Sequence, residues 1–63
     1  MKAIKIIRTN QGSRFRLKND ESNPVWVRGE YIKEQDKYAC FKEQDEFQKN
    51  KFIKKFRIIY LIK

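Results

Sequence analysis

The chain has no histidine and a single cysteine, Cys40, among its 63 residues. One thiol cannot make an intrachain disulfide, and without histidine the usual Cys and His spacings of a zinc site cannot be assembled. Neither a metal nor a cofactor is therefore expected. The commonest general base is missing, no paired carboxylates stand outside loop segments, and Ser13 and Ser22 fall in turns with no base nearby in sequence. Cys40 would need a helix N-terminus or a cationic setting to act as a nucleophile, and a mid-strand position supplies neither. The expectation is a protein that is not an enzyme, with Cys40 packed as a small apolar residue in a reducing compartment.

Long apolar runs are missing too. The opening "MKAIKIIRTN" is broken by Lys2, Lys5 and Arg8, unlike the apolar heart of a secretory signal. The run from Phe52 to Ile62 is too short for a membrane span and contains Lys54, Lys55 and Arg57. These features predict a soluble, cytoplasmic protein with no membrane partner.

What the chain does have is an apolar fraction of 40% with nine aromatics, too rich for disorder even though 38% of residues are charged. A single domain over residues 1–63 with a charged rind follows. At this size a hydrophobic core alone supplies only about 3–5 kcal/mol, so each large buried side chain matters.

The net charge of +8 is unevenly spread. Residues 1–18 carry Lys2, Lys5, Arg8, Arg14, Arg16 and Lys18 with no acid, and residues 49–63 carry Lys49, Lys51, Lys54, Lys55, Arg57 and Lys63 with none either. All the acids lie between, in residues 19–48. If the first and last strands lie side by side, the cations of both ends share one part of the surface as a footprint for phosphate. Spread around the molecule, the same charges would serve only solubility.

Residues 3–8 ("AIKIIR") read as a strand, and "TNQGS" as a turn in which Gly12 is free to take positive φ. In "RFRLK", Phe15 and Leu17 alternate with Arg14, Arg16 and Lys18, a half-buried strand with a cationic outer face. "NDESNP" is a polar loop ended by Pro24. "VWVRGEYIKEQDKYACF" then supplies two strands joined around "KEQD".

Because side chains alternate, a one-residue slip in pairing exchanges the faces. Tyr31 opposite Lys37 sorts Val25, Val27, Ala39 and Phe41 onto one apolar face, and Trp26, Arg28, Glu30, Tyr38, Cys40 and Lys42 onto the other. Tyr31 opposite Tyr38 mixes them, so the first register is expected, with its aliphatic face toward the core. Gly29 marks a bulge or bend that lets the sheet curl. "KEQDEFQKN" reads as a loop or helical turn anchored by Phe47, and residues 52–62 as a last strand with Phe56, Ile58, Tyr60 and Ile62 on one face, favoured over a helix by β-branched and aromatic content.

The predicted fold is all-β, a small five-stranded SH3-like barrel or roll with a helical turn before the last strand. The alternatives are an OB-like barrel and an α+β form with a C-terminal helix.

Gly12, Phe15 and Leu17, the stretch Val25 to Tyr31 ("VWVRGEY"), and Lys37, Tyr38, Cys40 and Phe41 together form a pattern. In it the chain resembles a group of small uncharacterised proteins of gut anaerobes that share Gly-x-x-Phe-x-Leu, VWVRGEY and Lys-Tyr-x-Cys-aromatic motifs. The likeness covers roughly residues 12–54, with Lys55 standing where the pattern has glycine. It implies a small β-rich domain and brings no activity with it.

Two functional readings follow. Sheets bind single-stranded nucleic acid by stacking bases on exposed aromatics, about 1–3 kcal/mol per base, beside a cationic phosphate track. The expected register presents Trp26, Arg28, Tyr38 and Lys42 together, and Arg14, Arg16 and Lys18 could extend the track. Glu30 opposes this by adding repulsion, and a covering strand or loop would instead turn Trp26 and Tyr38 into a second small core. The other reading is a protein-interaction module that holds a peptide or accepts a strand at an open edge.

Overall fold

Val27 lies directly opposite Phe41 and Arg28 opposite Cys40, in the register expected from sequence, but three residues further on Tyr31 faces Tyr38 and Ile32 faces Lys37. Both candidate registers are therefore present, one on each side of an irregularity that contains Gly29 and Glu30. The slip is a β-bulge at the predicted glycine, and its consequence is that Trp26, Arg28, Tyr31, Tyr38 and Cys40 all point to the same side.

The computed structural model describes residues 2–44 and 50–62. They form six strands: β1 (Lys2–Lys5), β2 (Arg14–Arg16), β3 (Trp26–Ile32), β4 (Lys37–Lys42), β5 (Asn50–Lys54) and β6 (Ile58–Leu61). All pair antiparallel in one sheet of order β1-β6-β2-β3-β4-β5. The all-β expectation holds, as a small roll whose sheet curls without closing. Five strands were expected and six are present, because the C-terminal stretch folds as two strands hinged at Lys55–Arg57. Of the loop or helical turn expected over residues 42–50, Lys42 ends β4, Glu43 and Gln44 form a turn and Asn50 begins β5, while the anchor Phe47 lies outside the described residues.

The N-terminal stretch also departs from the single strand predicted for residues 3–8. After β1 the chain tightens into a 3-10 turn, Ile6–Arg8, which drives Ile6 fully into the interior. Thr9 closes this turn, its hydroxyl donating to the Ile6 carbonyl at 2.6 Å. Gly12 sits at φ +92°, the left-handed conformation expected of it.

The corner after β5 ties the two edges of the sheet together. The Lys55 N–H donates to the Asp36 carbonyl at 3.4 Å, and the Lys55 carbonyl accepts from the Ile7 N–H at 3.1 Å. The Ile6 N–H donates to the Arg57 carbonyl at 2.9 Å. Residues 55–57 thus bridge from the start of β4 to the end of β1.

The inner face carries the core: Ile6, Phe15, Trp26, Tyr38, Cys40, Ile53 and Ile59, with Ile4 and Leu17 packed against it. This reverses the predicted sidedness of the central hairpin. Val25, Val27, Ala39 and Phe41 are only half-buried, whereas Trp26 and Tyr38 retain 9% and 5% of their exposure. A large aromatic removes more apolar area from water than a valine or alanine, and the charged neighbours on that face, Arg28 and Lys42, carry long stems that reach solvent from a partly covered surface. The single last strand expected over residues 52–62 is interrupted between β5 and β6. Ile59 is fully buried while Phe56 and Ile58 are exposed, because the turn at 55–57 resets the alternation.

Candidate nucleic-acid interface

The strand pairing decides which of the candidate residues meet. Trp26, Arg28, Tyr38 and Lys42 do share one face, as the expected register implied, but it is the inner face and their rings are covered. The Arg28 guanidinium carbon lies 4.1 Å from the Tyr38 ring centroid. Lys42 Nζ and Lys51 Nζ stand 5.8 and 5.6 Å from the Trp26 centroid. Cations thus roof the two aromatics, an arrangement in which each ring's negative face meets a positive charge. Trp26 and Tyr38 do not stand free for stacking by a base. Glu30, the residue expected to repel a polyanion here, lines a hollow on the outer face with Ala39 and Phe41 instead, carried there by the bulge.

The β2 candidates lie elsewhere. Phe15 faces inward opposite Trp26, so Arg14 and Arg16 project from the outer face. Arg14 makes a two-pronged contact with Glu43, Nε to Oε1 at 2.6 Å and Nη2 donating to Oε2 at 3.0 Å. That hydrogen bond, with the carboxylate charge behind it, raises the Arg14 pKa further. Arg16 Nε donates to the Asn23 carbonyl at 3.0 Å and stitches the polar loop to the sheet. Lys18 is exposed in that loop. Arg14, Arg16 and Lys18 therefore do not continue the cationic cluster of the inner face.

Cys40 is fully buried between Arg28 and Lys51 in the strand pairing, its thiol 3.6 Å from the Tyr38 carbonyl. Burial pushes its pKa up, away from the thiolate. Among the described residues no cluster of three His, Cys, Asp or Glu side chains could hold a metal ion. Nor is any helix among them long and apolar enough to cross a membrane.

A second site emerges where the chain ends meet. β1 pairs with β6 along its whole length, Lys2 opposite Leu61 through Lys5 opposite Ile58. The two basic segments are neighbours, the condition under which their charges combine. On this seam stands Phe56, the most exposed large apolar side chain described, at 61%. Lys5 Nζ and Lys55 Nζ lie 5.5 and 5.2 Å from its ring centroid. Phe56 forms a ridge between two hollows, one lined by Lys2, Lys5, Ile7, Arg8 and Ile58 and the other by Asp36, Lys37, Lys54 and Arg57. Among the described acids, Asp36 comes nearest to neutralising it, 3.9 Å from Lys55 Nζ.

From sequence, Phe56 is expected on one face of a last strand together with Ile58, Tyr60 and Ile62. The signal that marks it is local: in "KKFR", three cations surround one aromatic. Exposure of that aromatic follows from the turn, which alternation alone does not reveal.

Comparison of the chain with protein-family models, with curated proteins and with solved structures finds no match in any of the three.

Proposed function

We propose that the protein is a non-enzymatic, cytoplasmic module that binds single-stranded nucleic acid across the seam between its two basic ends. The observation that carries this reading is Phe56, an exposed ring held between Lys5 and Lys55 where β1 meets β6. A base stacks on the free part of the ring while flanking phosphates take the surrounding cations, the pairing of platform and track that sequence-tolerant binders use. With the N-terminal strand β1 set aside, the order β6-β2-β3-β4-β5 supports an SH3-like arrangement, last strand beside first. The buried thiol of Cys40 and the absence of histidine support a binding role over a catalytic one.

The competing reading, a protein-interaction module, draws on the outer edges of β1 and β5, which pair on one side only among the described residues, and on Phe52, 49% exposed beside one of them. Anisotropy titration of labelled single-stranded DNA and RNA at low and moderate salt separates the two. Nucleic-acid binding predicts steep weakening with salt. No binding to either strand at low salt would overturn it and leave the protein-interaction reading.

A further inference from the structure

Phe56 is not the only apolar side chain exposed at the seam. Of the five large apolar side chains exposed among the described residues, three, Ile7, Phe56 and Ile58, line one hollow of about 630 Å³. Single exposed aliphatics are ordinary on a small protein, but three that share a concavity form a patch that a ligand can cover. The backbone assembles it. The 3-10 turn sends Ile6 inward and leaves Ile7 outside, and the bond from the Ile7 N–H to the Lys55 carbonyl at 3.1 Å holds Ile7 beside the Phe56 corner. Ile58 opens β6 opposite Lys5, whose Nζ lies over the Phe56 ring. The polar part of the lining is of one kind: Lys2, Lys5 and Arg8 rim the hollow, and among the described residues no carboxylate, amide or hydroxyl side chain lines it. Asp45 and Glu46 precede β5 in sequence whereas Phe56 follows it, and the strand itself puts about 13 Å between Asn50 and Lys54.

An apolar floor inside a purely cationic rim selects an occupant that is anionic and apolar at once. Resting on the reading of the seam as a nucleic-acid site, we propose that this hollow takes the base next to the one stacked on Phe56 and selects thymine over uracil, and so DNA over RNA. Stacking on Phe56 tolerates every base, so the discrimination comes from Ile7 and Ile58. The C5 methyl of thymine meets these aliphatic side chains, a contact that uracil cannot make, while the phosphates on either side take Lys2, Lys5 and Arg8. The volume of the hollow falls within the range of about 300–1,000 Å³ found for sites that hold a small ligand, room for a base with its sugar.

Labelled oligo(dT) and oligo(dU) of equal length share a deoxyribose backbone and differ only in the C5 methyl. Anisotropy titration should find oligo(dT) bound about fourfold more tightly or better, the effect of burying one methyl group. The ratio should hold as salt is raised, because salt screens the phosphate contacts, which the two strands share. In the double variant Ile7→Thr, Ile58→Thr, changed at exposed positions outside the core, the ratio should fall toward one while the salt slope stays that of wild type. Equal binding of the two strands by the wild-type protein, with both weakened by Phe56→Ala, would overturn the preference and leave the seam reading standing. Failure of both to bind at low salt would sink the two together. Binding of phosphatidylserine vesicles, with equal affinity for the two strands, would assign the patch to a lipid surface instead. A folded double variant that keeps the wild-type ratio would also overturn the proposal.

Discussion

Gly29 passes so close to Ala39 on the neighbouring strand that a Cβ built on it would overlap the Ala39 carbonyl oxygen. The bulge that carries the hairpin from one register to the other closes on this contact, so the position accepts no side chain without moving backbone. Gly29→Ala should destabilise the fold by about 1–3 kcal/mol through overpacking. Urea denaturation checks this, and a midpoint equal to wild type would show that the bulge is not held by this approach.

Phe56→Ala tests the seam. The ring is exposed, so stability should change by less than about 1 kcal/mol. Affinity for a single-stranded oligonucleotide should fall by about 1–3 kcal/mol, the contribution of one stacked base. In the double variant Lys5→Gln, Lys55→Gln, the slope of log affinity against log salt should flatten by about 0.7 per cation removed. An unchanged slope would mean that the phosphate track lies elsewhere.

Phe15 tests the core. It is fully buried on the shortest strand, between Trp26 on β3 and Leu61 on β6. Phe15→Ala should cost about 3–5 kcal/mol, comparable to all that a core of this size provides. Circular dichroism should find this variant unfolded at room temperature, whereas Phe52→Ala, at a half-exposed position, should remain folded.

Cys40 and Trp26 together report which face of the hairpin is buried. The Cys40 thiol is inaccessible and its pKa is raised by burial, so a thiol reagent at neutral pH should react only as the protein opens. Trp26 emission should be blue-shifted and poorly quenched by acrylamide. Rapid labelling of the native protein would restore the opposite sidedness, with Val27 and Phe41 inside.

Tyr31 supplies a pH signature. Its hydroxyl donates to Asp36, and this bond to a carboxylate pushes its pKa up to about 12. The folded state thus favours the protonated phenol. Its stabilising contribution is complete below the unfolded value near 10, and is lost as pH rises through about 12. In spectrophotometric titration one of the three tyrosines should ionise late, and Tyr31→Phe should remove both that late step and its part of the alkaline loss of stability.

Local chemistry in the sequence was enough for several features. Alternation in "RFRLK" put Phe15 inside and Arg14 and Arg16 outside, Gly12 was assigned its positive φ, and Gly29 its bulge. Grouping Trp26, Arg28, Tyr38 and Lys42 on one face was correct as well, since period-two geometry is a property of the strand alone. Alternation does not say which of two mixed faces turns inward. That choice depends on how much area the rest of the fold can cover, and the inward arrival of Ile6, Ile53 and Ile59 made the aromatic face the core.

The composition, the alternation and the turn residues by themselves determined an all-β chain with basic ends, because these are statements about single segments. Tertiary structure alone decided that β1 would lie against β6, that Phe56 would stand exposed between lysines from separate segments, and that the Arg28 guanidinium would lie over the Tyr38 ring. Each of those is a relation between separate segments of the chain, set by curling the sheet around a small core, and no single segment contains all the partners.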